Sequence, residues 1–172
     1  MTASATDTPT ENPKLTAMDI GKRFLKLIEG LESRNDLSPE RIKDETGISL
    51  GHFPVPSENL DYYAYSQPLD DGWFFSINYS PASLGLKEGA ELTFSNAQNG
   101  LASMQAVCAL DFDYYHSALK AMGYRDTPIR GEIGEIRSWR YYKNDITISI
   151  IPQNVVAGES GRLCVKSIGT LN

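Results

Sequence analysis

The chain lacks most of the residues on which enzyme chemistry is usually built. Its 172 residues include only two histidines, His52 and His116, and two isolated cysteines, Cys108 and Cys164. There is no glycine-rich phosphate loop and no dinucleotide-binding fingerprint. Neither histidine has the further ligands at suitable spacing that a metal site needs. The sequence therefore predicts a protein that is not an enzyme, with no catalytic residues, no cofactor and no metal.

Long apolar runs are also missing. No stretch approaches the roughly 20 apolar residues that a membrane-spanning helix needs, and the N-terminus has no basic-then-apolar signal pattern. We therefore expect a cytoplasmic protein that makes no membrane contact. In that compartment Cys108 and Cys164 would stay reduced, as small buried side chains within strands.

Residues 1–14 contain no apolar periodicity and are predicted to be a disordered leader, followed by a single domain over 15–172. Thr16 and Ser38 are predicted to cap two helices that form an N-terminal helical lobe. A central helix is predicted to begin at Phe112 behind the cap Asp111 and to stop at Gly123. His116 is predicted to lie on the exposed side of this helix.

Alternating apolar residues predict strands over 60–67, 72–80, 90–95, 102–109, 135–142, 146–151 and 162–168. The alanine content of 102–109 leaves a helix possible there. Residues 51–57 are expected to be an extended lead-in, and the stretch that carries Pro128 is expected to be a loop. The prediction is an α+β fold with largely antiparallel sheet structure. The order of elements suggests a degenerate α-βββ duplication, which remains a hypothesis about architecture.

Charge is distributed unevenly along the chain. Residues 44–119 contain ten acidic side chains and one basic side chain, Lys87. Residues 1–43 carry seven of each sign and residues 120–172 carry eight basic and five acidic, so the segment sums of 0, −9 and +3 give the net charge of −6. The acidic middle segment argues against binding of DNA or RNA and favours a basic protein partner.

Aromatic residues are interleaved with these acids, which is a composition typical of protein interfaces. The alternative is that the acids only confer solubility and the aromatics belong to the core. On the interface hypothesis, the predicted partner-binding residues are Asp61, Tyr63, Tyr65, Asp70, Asp71 and Glu91.

The second half also resembles a known class of protein. The pattern Asp111-Phe112-Asp113-Tyr114-Tyr115, then Gly123-Tyr124, Trp139-Arg140-Tyr141-Tyr142 and Ile146-Thr147-Ile148-Ser149-Ile150 is similar to that of small bacterial immunity proteins, which neutralise toxins exchanged between competing cells. The resemblance covers about the last third of the chain. It implies a cytosolic antitoxin with no chemistry of its own, which binds and neutralises a cognate toxin or effector.

Two alternatives stay open at this point. One is a small-molecule-binding or enzymatic α+β domain with a pocket between sheet and helices. A deep apolar pocket with converging polar groups would favour this alternative. The other is a secretion chaperone or adaptor, which also suits an acidic protein of this size. The oligomeric state does not follow from the sequence.

Overall fold

The computed structural model describes residues 11–58, 60–97, 102–153 and 162–172. These residues form three α-helices and one eight-stranded antiparallel sheet. Helices α1 (Ala17–Glu29) and α2 (Pro39–Thr46) make up the N-terminal lobe, and α3 (Phe112–Ala121) follows the fourth strand. The predicted α+β class, with an N-terminal helical lobe and one central helix, is confirmed.

The sheet consists of two four-strand meanders that follow each other along the chain. Its strand order is β1-β2-β3-β4-β8-β7-β6-β5, so β4 and β8 join the meanders at the centre. Each half contains one strand more than the predicted α-βββ unit. The strands are β1 Gly51–Val55, β2 Leu60–Pro68, β3 Trp73–Ser80, β4 Gly89–Asn96, β5 Arg125–Arg130, β6 Ile136–Lys143, β7 Ile146–Pro152 and β8 Val165–Thr170.

Local capping sets the ends of the helices. The Thr16 hydroxyl accepts a hydrogen bond from the Asp19 backbone N–H at 3.1 Å, and the Asp19 carboxylate accepts one from the Thr16 backbone N–H at 3.1 Å. Gly123 adopts a φ of 89°, which lets the Tyr124 N–H donate to the Leu119 carbonyl at 3.1 Å and closes α3. The predicted start and stop signals are therefore confirmed.

All three helices cover one face of the sheet. On β3, Phe75 and Ile77 are fully buried under the helices. Ser76 and Asn78, at the alternate positions of the strand, point to the other face. Phe24 and Ile28 of α1 belong to the same core. The opposite face, here called the outer face, carries no described helix.

The two edge strands are those that the sequence pattern missed. Pro54 lies in β1 opposite Asp61, and Pro128 lies in β5 opposite Trp139. A proline cannot donate a ladder hydrogen bond, which is why these stretches were predicted to be an extended lead-in and a loop. An edge strand tolerates a proline because one of its sides has no neighbouring strand.

The strand predicted over 102–109 is wrong. Met104–Ala106 instead form a 3₁₀ turn, in which the Ser103 hydroxyl accepts from the Gln105 N–H at 3.3 Å. The alternation of small side chains in this stretch resembles a strand, but the local serine cap offers the backbone a competing turn.

The prediction of two reduced cysteines within strands is also wrong. Cys108 and Cys164 form a disulfide across a sequence separation of 56 residues. Neither cysteine lies in a named strand, since Cys108 precedes α3 and Cys164 precedes β8. The disulfide therefore encloses α3, β5, β6 and β7 in one covalent loop.

A buried arginine fastens the helical lobe to both halves of the sheet. Arg34 is 2% exposed and donates to the carbonyls of Glu88, before β4, and Leu171, after β8. Its backbone N–H points to the Asp145 carboxylate, which also accepts from Lys87 at 2.9 Å. Burial lowers the pKa of Arg34, but the carbonyl partners satisfy its donors.

Only the last part of the predicted leader 1–14 lies within the described residues. Residues 1–10 of the expected leader lie outside the described residues. Beyond them, the Asn12 side chain exchanges hydrogen bonds with the Ser49 backbone at 2.7 and 3.0 Å. Among the helices that the structure describes, none has the length and apolar character needed to cross a membrane.

Candidate functional site

The six predicted partner-binding residues do not form one surface. Tyr63 and Tyr65 lie on the helix-covered side of β2, where they are half-buried. Tyr63 packs edge-on against Tyr79 at 5.7 Å, and Tyr65 lies 6.3 Å from Phe75. These two tyrosines therefore pack against the core, which agrees with the alternative that the aromatic residues of this segment belong to the core.

The predicted acidic residues occupy three separate places. Asp70 and Asp71 form the exposed end of the β2–β3 hairpin, and Asp71 takes a φ of 56° there. Glu91 lies on the outer face in the middle of the sheet, opposite Gly169 of β8. Asp61 lies near the other end of β2, where its carboxylate is 2.6 Å from the His52 ring nitrogen Nε2.

Asp61 is the predicted residue that borders a groove at this end of the sheet. A groove of about 450 Å³ separates the end of the β1–β2 hairpin from the loop 81–88 that follows β3. We call it the β1–β2 groove. Its apolar lining comes from Val55, Leu60, Tyr62, Pro81 and Leu86.

The charges on the β1–β2 groove are all negative among the described residues that line it. Glu58 and Asp61 supply two carboxylates, and no lysine or arginine is present there. Burial, followed by the negative charge of Glu91, raises the pKa of Tyr62 above its ordinary value. Lys87, the residue after Leu86, pairs with Asp145 at 2.9 Å.

The exposed apolar side chains next to the groove complete the surface. Leu86 is 56% exposed and Leu84 is 94% exposed on a tight hairpin in the loop 81–88. Phe53, on β1 opposite Tyr62, is 54% exposed. Exposed apolar area beside a groove with an acidic rim is typical of a site that binds another protein.

The charge argument from the sequence led to Asp61 but missed Val55, Glu58, Leu84 and Leu86. The signal that identifies Leu84 and Leu86 lies within a few residues of them in the sequence. Two leucines flank Gly85 in a loop that also contains one proline, one serine and one lysine, and a turn with leucine at its centre is unusual. The rest of the groove could not be read, because its two walls are distant in sequence.

The two histidines take part in structural contacts. His116 was predicted to be exposed, but it is half-buried, and its Nδ1 atom lies 2.8 Å from the Tyr141 hydroxyl. Its ring packs 5.5 Å from both Phe112 and Trp139. The prediction failed because three aromatic side chains surround a helix position that the apolar pattern left on the polar side. Burial, and secondarily the charge of Asp126, raises the pKa of Tyr141, so this phenol stays protonated at neutral pH.

His52 is the more exposed of the two and stacks on Tyr63 with 4.6 Å between ring centres. Within the described part of the chain, neither histidine hydrogen-bonds a serine or cysteine that would act as a nucleophile. The described residues also contain no cluster of three or more His, Cys, Asp and Glu side chains arranged to hold a metal ion.

Comparison of the chain with protein-family models, with curated proteins and with solved structures finds no match.

Proposed function

We propose that this chain is a non-catalytic binding protein of the immunity type, which binds a cognate protein toxin or effector and neutralises it. The observation that carries the proposal is the β1–β2 groove, with its apolar lining and its two carboxylates Glu58 and Asp61. A one-signed acidic site attracts a basic partner and repels an acidic one. Binding at such a surface inhibits by occlusion and needs no chemistry from this chain.

The disulfide bears on where this binding takes place. Disulfides persist in oxidising compartments, whereas reducing systems keep cytosolic thiols free. We therefore propose that the protein acts in an oxidising compartment, in place of the cytoplasm expected from the sequence. Alkylation of intact cells before lysis, followed by mass measurement, tests this: Cys108 and Cys164 should remain unmodified. Two alkylated thiols per chain would indicate a reducing compartment such as the cytoplasm.

The product of the neighbouring open reading frame is the natural probe for the immunity proposal. The purified chain should bind this product and suppress its toxicity when both are expressed in one cell. Because the Debye length falls from about 10 Å at 0.1 M salt to about 3 Å at 1 M, association should slow as salt rises. Persistent toxicity in the presence of abundant folded protein would contradict the proposal.

Charge reversal locates the site. The double change Glu58→Lys with Asp61→Lys should slow association with the partner, because it inverts the sign of the groove. The matched control is Glu29→Lys with Glu32→Lys, which alters the net charge equally at exposed positions in the helical lobe. Equal loss of binding in both double variants would indicate a general charge effect and not a site.

The two alternatives make different predictions in the same assays. A secretion chaperone would bind the neighbouring product without suppressing any toxicity. A small-molecule-binding domain has one observation in its favour, since 450 Å³ falls within the range of ligand pockets, about 300–1,000 Å³. Thermal stabilisation of the chain by a small metabolite, with no protein bound, would favour that reading.

A further inference from the structure

The hairpin of residues 83–86 has an unusual residue at its tip. The Ser83 N–H donates to the Leu86 carbonyl at 3.1 Å and the Leu86 N–H donates to the Ser83 carbonyl at 2.8 Å, so Leu84 and Gly85 form a two-residue turn. Both have positive φ, 48° for Leu84 and 85° for Gly85. Glycine adopts this conformation freely, but leucine does not, because its Cβ crowds the backbone.

Two costs therefore coincide at Leu84. Its backbone is in the left-handed region, and its side chain is 94% exposed to water. Asparagine, aspartate or glycine would satisfy the same turn without displaying an apolar side chain. Local strain of this kind is common at binding sites, where a bound partner offsets it.

The surroundings of Leu84 define the chemistry of that partner. The hairpin forms one wall of the β1–β2 groove through Leu86, while Val55 and Leu60 line the groove from the β1–β2 hairpin. The carboxylates of Glu58 and Asp61 lie on the same groove. Apolar side chains of a partner fit the groove lining, and flanking lysine or arginine side chains fit the carboxylates.

We infer that the 83–86 hairpin and the β1–β2 groove together dock a protein segment with apolar side chains flanked by basic ones, and that Leu84 inserts into the partner as an anchor. This inference rests on the proposed binding function and names the class of its partner. Leu84 supplies the projecting side chain and the groove receives the partner's own apolar side chain. Interfaces commonly concentrate their binding energy in a few such central side chains.

A synthetic peptide tests the groove without knowledge of the partner. The probe is a ten-residue peptide with two leucines at its centre and lysines at both ends, added to the isotope-labelled full chain with its disulfide intact. We expect backbone amide shifts at Val55, Leu60 and Leu86. Control peptides replace the lysines by glutamates or the leucines by serines. Each control peptide should bind with an affinity lower by about tenfold or more. Equal binding of the glutamate peptide, or shifts confined to other surfaces, would overturn the inference.

Leu84→Ala tests the anchor against a matched control. The change keeps the backbone conformation but removes the side chain beyond Cβ, and we expect about tenfold weaker binding of the neighbouring gene product. The control is Ile133→Ala, since Ile133 is also a turn residue, is 91% exposed and precedes a glycine of positive φ, Gly134. Unchanged binding by the Leu84 variant, or an equal loss in the Ile133 variant, would remove Leu84 from the interface. Unchanged amide spectra away from the turn show that each variant is folded.

The two proposals fail in different ways. If the wild-type chain suppresses toxicity and the Leu84→Ala variant does so with the same affinity, the immunity function stands and the anchor is wrong. If the leucine-lysine peptide binds the groove but the neighbouring product is neither bound nor neutralised, the docking surface stands and the immunity function is wrong.

Discussion

The two halves of the sheet share an architecture but differ in what their surfaces and cross-links provide. Each is a four-strand antiparallel meander preceded by helix, and the two are joined where β4 pairs with β8. The first half carries the acidic groove and the strained Leu84 turn. The Cys108–Cys164 disulfide encloses α3 and β5–β7 of the second half, and the segment 120–172 has a net charge of +3. Under the proposed function, the first half presents the binding site, and the disulfide constrains the chain of the second half.

The seam between the halves is short and tightly packed. Glu91, Leu92 and Thr93 of β4 pair with Gly169, Ile168 and Ser167 of β8. A Cβ on Gly169 would lie 2.8 Å from the Ala90 carbonyl oxygen, so only glycine fits there. The halves are thus locked together by close backbone approach, by Ile168 in the shared core and by the Arg34 contacts.

The largest difference should appear when the two tryptophans are compared. Trp73 in the first half is 5% exposed, and its indole N–H donates to the Ser103 carbonyl at 2.7 Å. Trp139 in the second half is only half-buried against Phe112. Trp73→Ala should cost about 3–5 kcal/mol and Trp139→Ala about half as much, measured by urea unfolding. Equal losses would mean that partial exposure of Trp139 does not reduce its contribution.

Removing the disulfide should test whether the second half depends on its covalent loop. Chain entropy for the loop of about 57 residues predicts that Cys108→Ala with Cys164→Ala lowers the free energy of unfolding by about 4 kcal/mol. Reduction of the wild-type protein should give the same loss, measured as a fall in melting temperature. Hydrogen exchange should accelerate more in β5–β7 than in β2 and β3; a uniform acceleration would contradict the proposed division.

An acid titration should weaken the contact of the helical lobe with both halves. The hydrogen bond from Lys87, followed by those from Ser33 and the Arg34 backbone, holds the pKa of Asp145 below its ordinary value. Stability from this group is present above the unfolded-state pKa of about 3.9 and is lost as pH falls through the lower folded-state pKa. Asp145→Asn should therefore lower the melting temperature at pH 7 and flatten its dependence on pH below about 4. Asp113→Asn, at an exposed position on α3, is the control and should lower the melting temperature at pH 7 less than Asp145→Asn does.

The smallest expected change is a gain in the stability of the fold. Leu84→Asn keeps the turn but replaces leucine by a residue that tolerates positive φ, so it should stabilise the fold by about 1 kcal/mol. The same variant should bind the partner more weakly. A loss of stability would show that the Leu84 side chain makes a favourable contact in the free protein.

Features set by neighbouring residues were predictable from the sequence. The caps at Thr16, Ser38 and Asp111 and the stop at Gly123 depend on hydrogen bonds within a few residues, and each is found where predicted. The alternation in β3 likewise identified its buried face, because side chains of a strand alternate between faces whatever its neighbours are.

Features set by distant contacts were not predictable in the same way. Pro54 and Pro128 hid two strands whose existence depends on edge positions, and the pairing of Cys108 with Cys164 spans 56 residues. The acidic segment led to Asp61, which lines the β1–β2 groove. It could not separate Asp61 from Tyr65 or Asp70, because sequence proximity does not tell which face or end of a hairpin a residue occupies.

The prolines in the outer strands have a consequence for how the molecule associates. An unprotected strand edge recruits further strands, which leads to sheet-to-sheet association and fibres. Pro54 and Pro128 each remove a backbone donor from one outer strand of the sheet. We therefore expect the sheet to be self-limiting, so that the protein stays free of edge-to-edge aggregation when it is concentrated. A partner must then approach through side chains and loops, and not by adding a strand.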